Sequence, residues 1–402
     1  MASFDVIIVG AGPSGSAMAL NLGRFNRRVL LLEKAFFPRD KICGDGLSGK
    51  SIALLRELGL EEKVAEQSSE KISGISISAP NGSKMDIPMA PNYGYCCRRE
   101  LFDTILFQKA KQTAQTIEGF QVTDLIQQNG FVVGVKGIDS KTKESKEFFG
   151  KVIVGADGAN SIVATKLGLN HNPPEHHIVG LRGYYENVEG LTDKIELHFV
   201  DGVLPGYFWI FPLEKKGFAN VGIGMVTQQV NKQKANLKKI MEKAIVENSL
   251  FKDRFKNAKL LDGIKGWGLP VGSIKRKSAG NGWIFLGDAA SLIDPFTGEG
   301  IGNALLSAKI AAQEIEQCLR SNNVSEQSLQ RYSKRLDQEL YPELKTSYSL
   351  QRMANKKWLL NFIINKAKKK PAVAQYLGES LANEKPRKRL AGPLALIKLF
   401  FL

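Results

Sequence analysis

No stretch of this 402-residue chain reaches about eighteen unbroken apolar residues, which excludes a single helix built to cross a bilayer. The chain opens directly on a β-branched run with no apolar leader before it, so no signal peptide is expected and the expected compartment is the cytoplasm. Cysteine is scarce. Cys43, Cys96, Cys97 and Cys318 have the spacing of neither a disulfide framework nor a zinc site, and they lack the grouping that an iron–sulfur cluster needs. Adjacent Cys96 and Cys97 admit a redox pair, but their apolar, strand-like surroundings favour two small buried side chains. His171, His176, His177 and His198 show no metal-ligand spacing and read as polar surface or hydrogen-bonded core positions, so no metal is expected. Internal repeats are missing as well, which excludes a solenoid.

What is present suffices for a large core: 43% of the residues are hydrophobic and 24% charged, and the length suggests two domains or more. Basic residues outnumber acidic ones 56 to 40, a formal charge of +16, and the excess is concentrated. Residues 351–402 hold twelve basic side chains against two acids, interleaved with Trp358-Leu359-Leu360, Phe362-Ile363-Ile364 and a terminal run of Leu, Ile and Phe. Bulky apolar groups beside cations suit a peripheral membrane contact, where burial and attraction to anionic headgroups add. Nucleic acid would attract the same charge but suits those apolar groups less well. A helical cap packed on the rest of the protein, with a solvated basic face, fits the pattern equally.

The densest signal lies at the amino end. Val6-Ile7-Ile8-Val9 reads as a buried parallel strand, and Gly10-Ala11-Gly12-Pro13-Ser14-Gly15 completes G-x-G-x-x-G as it ends. Gly10 permits the tight turn, Gly12 lets the backbone approach a pyrophosphate, and Gly15 allows the next helix to pack closely. Ser14 to Asn26 is predicted as that helix, its amino end facing the phosphates. Val29-Leu30-Leu31-Leu32 is the second strand, ending in Glu33, 18 residues beyond Gly15, where a carboxylate accepts hydrogen bonds from an adenosine ribose.

Two later segments repeat the layout of buried strand and glycine turn. Val152-Ile153-Val154-Gly155-Ala156-Asp157-Gly158 is one, and Trp283-Ile284-Phe285-Leu286-Gly287-Asp288, followed by Asp294-Pro295-Phe296-Thr297-Gly298-Glu299-Gly300-Ile301-Gly302-Asn303, is the other. Residues 72–80, 178–188, 194–200, 206–213 and 218–226 are predicted strands of a second sheet, with a hairpin turn at Glu214-Lys215-Lys216-Gly217. Tyr207, Trp209 and Phe211 alternate along one of these strands and share a face, either as a pocket wall or as core packing.

These motifs resemble the flavoprotein hydroxylase superfamily and, within it, the geranylgeranyl reductase family, over roughly residues 1–310. In that family the first glycine motif binds the ADP part of FAD, the residue matching Asp288 holds the ribityl chain, and the turn matching Pro295 to Asn303 covers the isoalloxazine. Pro38-Arg39-Asp40-Lys41-Ile42-Cys43-Gly44-Asp45-Gly46 resembles the loop that follows the ribose-binding acid and passes beside the flavin. Arg99-Glu100-Leu101-Phe102-Asp103 resembles the R-x-x-F-D helix start whose arginine approaches FAD. Tyr207 to Pro212 matches Y-x-W-x-F-P, although the family's proline three residues before the tyrosine is Leu204 here.

The resemblance implies an α/β fold with a discontinuous, Rossmann-like FAD-binding domain (residues 1–71, 95–170 and 266–320). A mixed-sheet substrate domain (72–94 and 171–265) and a helical, basic carboxyl-terminal region (321–402) complete it. The cofactor-binding residues are then Gly10, Gly12, Pro13, Ser14, Gly15, Glu33, Lys34, Lys41, Cys43, Gly44, Arg99, Asp157, Gly158, Gly287, Asp288, Pro295, Gly298, Gly300, Ile301, Gly302 and Asn303. Tyr207, Trp209 and Phe211 face the substrate, and Cys43 is the candidate catalytic residue. The implied activity is reduction of a carbon–carbon double bond in a hydrophobic, isoprenoid-like or lipid substrate, with NADPH, NADH or a ferredoxin supplying electrons. The alternative on the same scaffold is a flavin monooxygenase or halogenase acting on a hydrophobic or aromatic substrate.

Overall fold

The computed structural model describes residues 3–370 and Val373. Its first sheet is built around the parallel strands Trp283–Phe285, Ser145–Gly155, Ser3–Val9, Val29–Glu33 and Gln115–Glu118, in that order. Val6 stands beside Val29 on one side and Val152 on the other. Because strand side chains alternate, Val6 and Ile8 join one apolar layer while Ile7 and Val9 join the opposite one. The first layer packs against two helices, Pro13–Gly23 and Ile301–Arg320. The opposite layer is covered by the antiparallel strands Phe120–Gln128 and Phe131–Asp139, whose polar edges hid them in the sequence.

The first helix begins at Pro13 and stops at Gly23, short of the expected Asn26. Phe25 and Asn26 donate to the carbonyls of Leu22 and Gly23, a tighter turn than the α-helix, and Asn26 then takes a left-handed φ of 54°.

The second sheet has seven strands in the order Lys259–Pro270, His177–Glu186, Ala219–Val226, Gly206–Pro212, Lys194–His198, Gly74–Ser78 and Lys84–Pro88. Only the Lys194–His198 and Gly74–Ser78 pair runs parallel among the neighbours of this sheet. Five of these strands lie where the sequence predicts them, within one or two residues. The strand Lys259–Pro270 runs through the expected boundary at 266 and stays in this sheet to its end.

One face of the second sheet is core. Phe208, Ile210, Val221, Ile223 and Met225 pack there on Met241, Phe251 and Phe255. The same side buries His198, whose Nδ1 bonds Ser78 Oγ at 2.8 Å and whose Nε2 faces Glu196 at 3.2 Å. Arg254 holds Glu196 through two bonds of 2.7 and 2.9 Å. Despite burial, His198 and Arg254 hold that carboxyl down at about 2.

The carboxyl-terminal region is helical as far as it is described: Glu326–Glu339, Tyr341–Ala354 and Lys357–Lys369. Residues 374–402, with the basic and apolar terminal run, lie outside the described residues.

Candidate cofactor and substrate site

The other face of the second sheet looks across a cavity at the carboxyl ends of the first sheet. The cavity measures about 1740 Å³, against roughly 300–1,000 Å³ for a pocket that takes one small ligand. It therefore has room for a dinucleotide and a second large molecule.

Its first limb is the glycine cradle. Gly10 has a φ of 97°, and a Cβ there would lie 2.5 Å from the Ala156 carbonyl oxygen. At Gly15 a Cβ would fall 1.8 Å from the Gly10 oxygen. Both glycines are thus spent on packing. Gly12 differs: the nearest atom to its missing Cβ is Arg39 Nη2 at 3.7 Å, and its open side faces the cavity beside Pro13 and Ser14. A bare backbone at the start of a helix, whose first-turn N–H groups lack intrahelical acceptors, fits a pyrophosphate.

Glu33, almost fully buried, accepts from the N–H groups of Ala11 at 2.9 Å and Ala35 at 3.0 Å. Each oxygen keeps a lone pair for a ribose hydroxyl on the cavity side. Lys34 and Arg39 line the rim beside it, and Arg39 donates to Asp103 at 2.9 Å. Asp157 caps the helix Ile162–Lys166 through the N–H of Ile162 at 2.7 Å, and its second oxygen is a buried acceptor with no partner among the described residues. Burial raises its pKa, and Gly158 beside it has open space around its α-carbon.

Arg99 grips Asp103 through two bonds of 2.7 Å. Burial opposes its charge, but Asp103 outweighs burial and raises its pKa. The ammonium of Lys41 sits 3.8 Å over the ring of Trp267. Burial and the charge of Arg99 push Lys41 down to about 8, against the pull of Asp288. Asp288 itself is raised by burial, opposed by Lys41 and Arg99. These three groups meet where the sheet ends face the glycine turn Gly298–Ile301, which also lines the cavity.

The structure sorts the remaining expected cofactor residues by depth. Gly15, Gly287, Pro295, Gly302 and Asn303 stand behind the cavity wall and shape it. The Gly287 N–H bonds Ser307 Oγ at 3.1 Å, and the Pro295 carbonyl accepts from Gln351 at 2.5 Å. Asn303 donates to the carbonyls of Leu292 and Glu299 at 2.7 and 3.2 Å. The missing Cβ of Gly302 would meet Glu299 Oε1 at 2.4 Å.

Tyr207, Trp209 and Phe211, which share one face of their strand, all line the cavity. Tyr207 donates to the Thr297 carbonyl at 2.6 Å and so ties this strand to the glycine turn. Phe211 lies over Gly44 and Gly46, where a Cβ would stand 3.3 and 3.2 Å from its ring. Beyond Tyr207 the cavity becomes apolar. Ile75, Ile77 and Leu197 of the second sheet and Phe199 just past it, with Met85 and Ile87 at its edge, line the cavity together with Leu350, Met353, Leu359, Leu360, Ile363 and Ile364 of the last two described helices. The apolar stripe of the Lys357–Lys369 helix is thus turned inward, with Leu360 and Ile364 in the cluster of Ile77 and Phe199. Trp358 points outward, 61% exposed.

Beside Cys43, which the sequence singles out, stand several wall residues that it does not. Cys43 lies in the cavity wall, and burial pushes its thiol up against the opposing pull of Arg99. Next to it Asp45, fully buried, accepts from Tyr184 Oη and Asn220 Nδ2, both at 2.8 Å. Lys50 bridges Asn303 at 3.1 Å and Glu343 at 2.7 Å, and Glu299 accepts from Ser48 at 2.7 Å. These partners lie some 140 to 290 positions apart in the chain, and no local pattern links them.

Comparison with known proteins agrees with this geometry. The family described as FAD binding domain matches residues 3–338. A menaquinone reductase of Mycobacterium tuberculosis is 32% identical over 324 residues, covering 78% of this chain and 77% of that protein. A digeranylgeranylglycerophospholipid reductase of Methanocaldococcus jannaschii is 30% identical over 382 residues, 94% of this chain and 91% of that protein. Among solved structures, a geranylgeranyl bacteriochlorophyll reductase-like protein from Thermoplasma acidophilum shares the fold with a TM-score of 0.85 at 24% identity, over 96% of this chain and 98% of that one. With the match spanning the glycine cradle, both sheets and the helix behind them, this chain belongs to the FAD binding domain family, on its geranylgeranyl reductase branch, and is an FAD-dependent oxidoreductase.

Proposed function

We propose that the protein reduces carbon–carbon double bonds in a long isoprenoid-like or lipid substrate. The observation that carries this reading is the continuity of the glycine cradle with an apolar limb lined by Ile77, Phe199, Leu360 and Ile364. A reader of small polar substrates has no use for such a limb, whereas an extended hydrocarbon gains from burial along its whole length. The names of the two reductase relatives point the same way.

Reduced FAD, when bound, supplies a hydride; Gly12, Ser14, Glu33 and Arg99 would hold its adenosine and phosphates, and the turn Gly298–Ile301 its ring. An unactivated alkene offers no carbonyl to polarise, so the protein's part is to orient the chain, exclude water and place a proton. Tyr207, Trp209 and Phe211 supply the aromatic wall. The N–H groups at the start of the helix Ile301–Arg320 would favour negative charge on a ring held there. Cys43 keeps its proton at Sγ through neutral pH, because burial holds the thiol form. That makes it the candidate to place a proton at the second alkene carbon.

Exposed Trp358 beside Lys356 and Lys357 supports a peripheral contact with an anionic membrane, which would bring a lipid substrate to the last helices. The test is anaerobic turnover of the FAD-loaded protein on a geranylgeranyl lipid, offering NADPH, NADH and reduced ferredoxin separately, with mass spectrometry of the product. Gain of one H₂ per double bond is expected. In a parallel aerobic assay, oxygen consumption coupled to product, with an oxygenated or halogenated product, would replace this reading by the monooxygenase or halogenase.

A further inference from the structure

Asp45 is an unusual residue to find where it is. It is completely buried, it takes a left-handed φ of 66°, and no cation bonds its carboxylate directly among the described residues. A buried carboxylate is costly unless donors converge on it. Here they come from three elements outside its own loop. Tyr184 Oη on the strand His177–Glu186 and Asn220 Nδ2 on Ala219–Val226 both donate to Oδ2, and the N–H of Arg99 donates to Oδ1 at 3.3 Å. The backbone of Asp45 is held too: its carbonyl accepts from the N–H of Cys97 at 2.9 Å, and its own N–H points at Cys43 Sγ at 3.4 Å.

Asn220 makes this more than a local fastening. Its Nδ2 also donates to the Cys43 carbonyl at 2.7 Å, while its Oδ1 accepts from Trp209 Nε1 at 2.9 Å. The amide can sit only one way round, since an indole N–H only donates and a carbonyl only accepts. One carboxylate and one amide therefore set the Cys43 loop, the Trp209 ring and two strands of the second sheet in a single register.

We propose that Asp45 is a positioning residue, fixing the thiol of Cys43 against the indole of Trp209 across the space where the substrate's double bond lies. This rests on the reductase reading for its purpose, but the geometry it asserts is measurable without turnover. Replacing the carboxylate by an amide removes the charge that Tyr184 and Asn220 bond at Oδ2 and sets an NH₂ donor against the N–H of Arg99 in place of Oδ1, which loosens the loop while the cavity and the glycine cradle keep their shape.

The experiment uses full-length protein carrying Asp45→Asn or Tyr184→Phe. Asparagine keeps the size and tolerates the left-handed conformation, and phenylalanine keeps the ring beside Phe218. The reaction of Cys43 with a coloured aromatic disulfide is timed in protein stripped of FAD. Cys96, Cys97 and Cys318 are buried, and a Cys43→Ser protein supplies the blank. With melting temperature and FAD affinity near wild type, Asp45→Asn is expected to speed Cys43 modification about tenfold, as the loss of a hydrogen bond to a charged acceptor would. Tyr184→Phe moves the rate the same way by less. In turnover kcat falls while KM for the lipid changes little. Should Asp45→Asn not fold, Tyr184→Phe carries the test alone. Wild-type thiol rates in a folded variant overturn the proposal, as does a loss of activity in which kcat and thiol rate do not move together. If no isoprenoid is turned over at all, the function reading fails while the thiol rates still decide this one.

Discussion

The indole of Trp209 lies on Gly222 so closely that a Cβ at position 222 would stand 2.1 Å from Cζ2 of the ring. Two more glycines lie beneath the same ring, Gly224 on the strand of Gly222 and Gly180 on the next one: its Cζ3 and Cη2 are 3.7 and 4.0 Å from their missing Cβ atoms. Three glycines thus form a flat bed on which the aromatic wall of the cavity rests. Gly222→Ala must displace the indole or the backbone, since the same Cβ would also fall 2.4 Å from the Leu181 carbonyl. Overpacking of this kind costs about 1–3 kcal/mol. The expected result is a lowered melting temperature with substrate KM raised and FAD affinity kept; unchanged KM in a folded protein would mean that Trp209 does not touch the substrate.

The glycine cradle gives a sharper pair. Alanine at Gly15 would place its Cβ inside the Gly10 carbonyl, so that variant should fail to fold or melt far below wild type. Alanine at Gly12 meets no protein atom nearer than 3.7 Å and has an ordinary φ of −68°, so the empty fold should keep its stability. Its methyl group would occupy the approach of a pyrophosphate. FAD affinity should drop by about tenfold or more, as read by flavin fluorescence quenching against calorimetric melting. Equal damage to both properties in Gly12→Ala would argue that the turn serves packing alone.

The contrast also explains what the sequence disclosed. Gly10 to Gly15 and Glu33 were legible because their chemistry is written within a few turns of chain, and Tyr207, Trp209 and Phe211 because a strand repeats every second residue. The direction of the Lys357–Lys369 stripe was not. A basic helix with grouped Leu and Ile has the same pattern whether it lies on a membrane or on a sheet, and only the distant Ile77, Met85 and Ile87 decide for the sheet. Asp45 was visible as a loop acid but not as a hub, since Tyr184 and Asn220 become its neighbours only when the second sheet closes over the loop.

Lys41 gives a pH dependence with two opposite signs. Its pKa is lowered from 10.5 to about 8, so in the bare fold it is charged below pH 8 and neutral above. Between these two values the unfolded chain holds the proton and the fold does not, so this residue's effect on the stability of FAD-free protein improves as pH rises from about 8 to 10.5. FAD binding runs the other way, because its phosphates favour the ammonium. Affinity measured in a stripped protein should be level up to pH 8 and weaken above it, by at most about tenfold per pH unit for one proton. Lys41→Met should flatten that slope; an identical slope in the variant would assign the titration elsewhere.

The apolar limb should act as a ruler for substrate length. Ile77 lies on the cavity face of Gly74–Ser78, packed with Phe199, Leu360 and Ile364, and it belongs to a different sheet from the glycine cradle. Ile77→Phe adds a ring where the tail of a long chain would lie, at a stability cost of about 1–3 kcal/mol. For a substrate long enough to fill the limb, kcat/KM should fall by about tenfold or more, because excluded methylenes are worth roughly 0.8 kcal/mol each. A short isoprenoid that ends before the limb should be reduced at the wild-type rate, and FAD affinity should not move. Ile77→Val opens rather than fills the space and should spare both substrates. If Ile77→Phe left the long chain at its wild-type rate, the hydrocarbon would have to lie elsewhere in the cavity, along Trp267 and Leu269 at the opposite edge of the sheet.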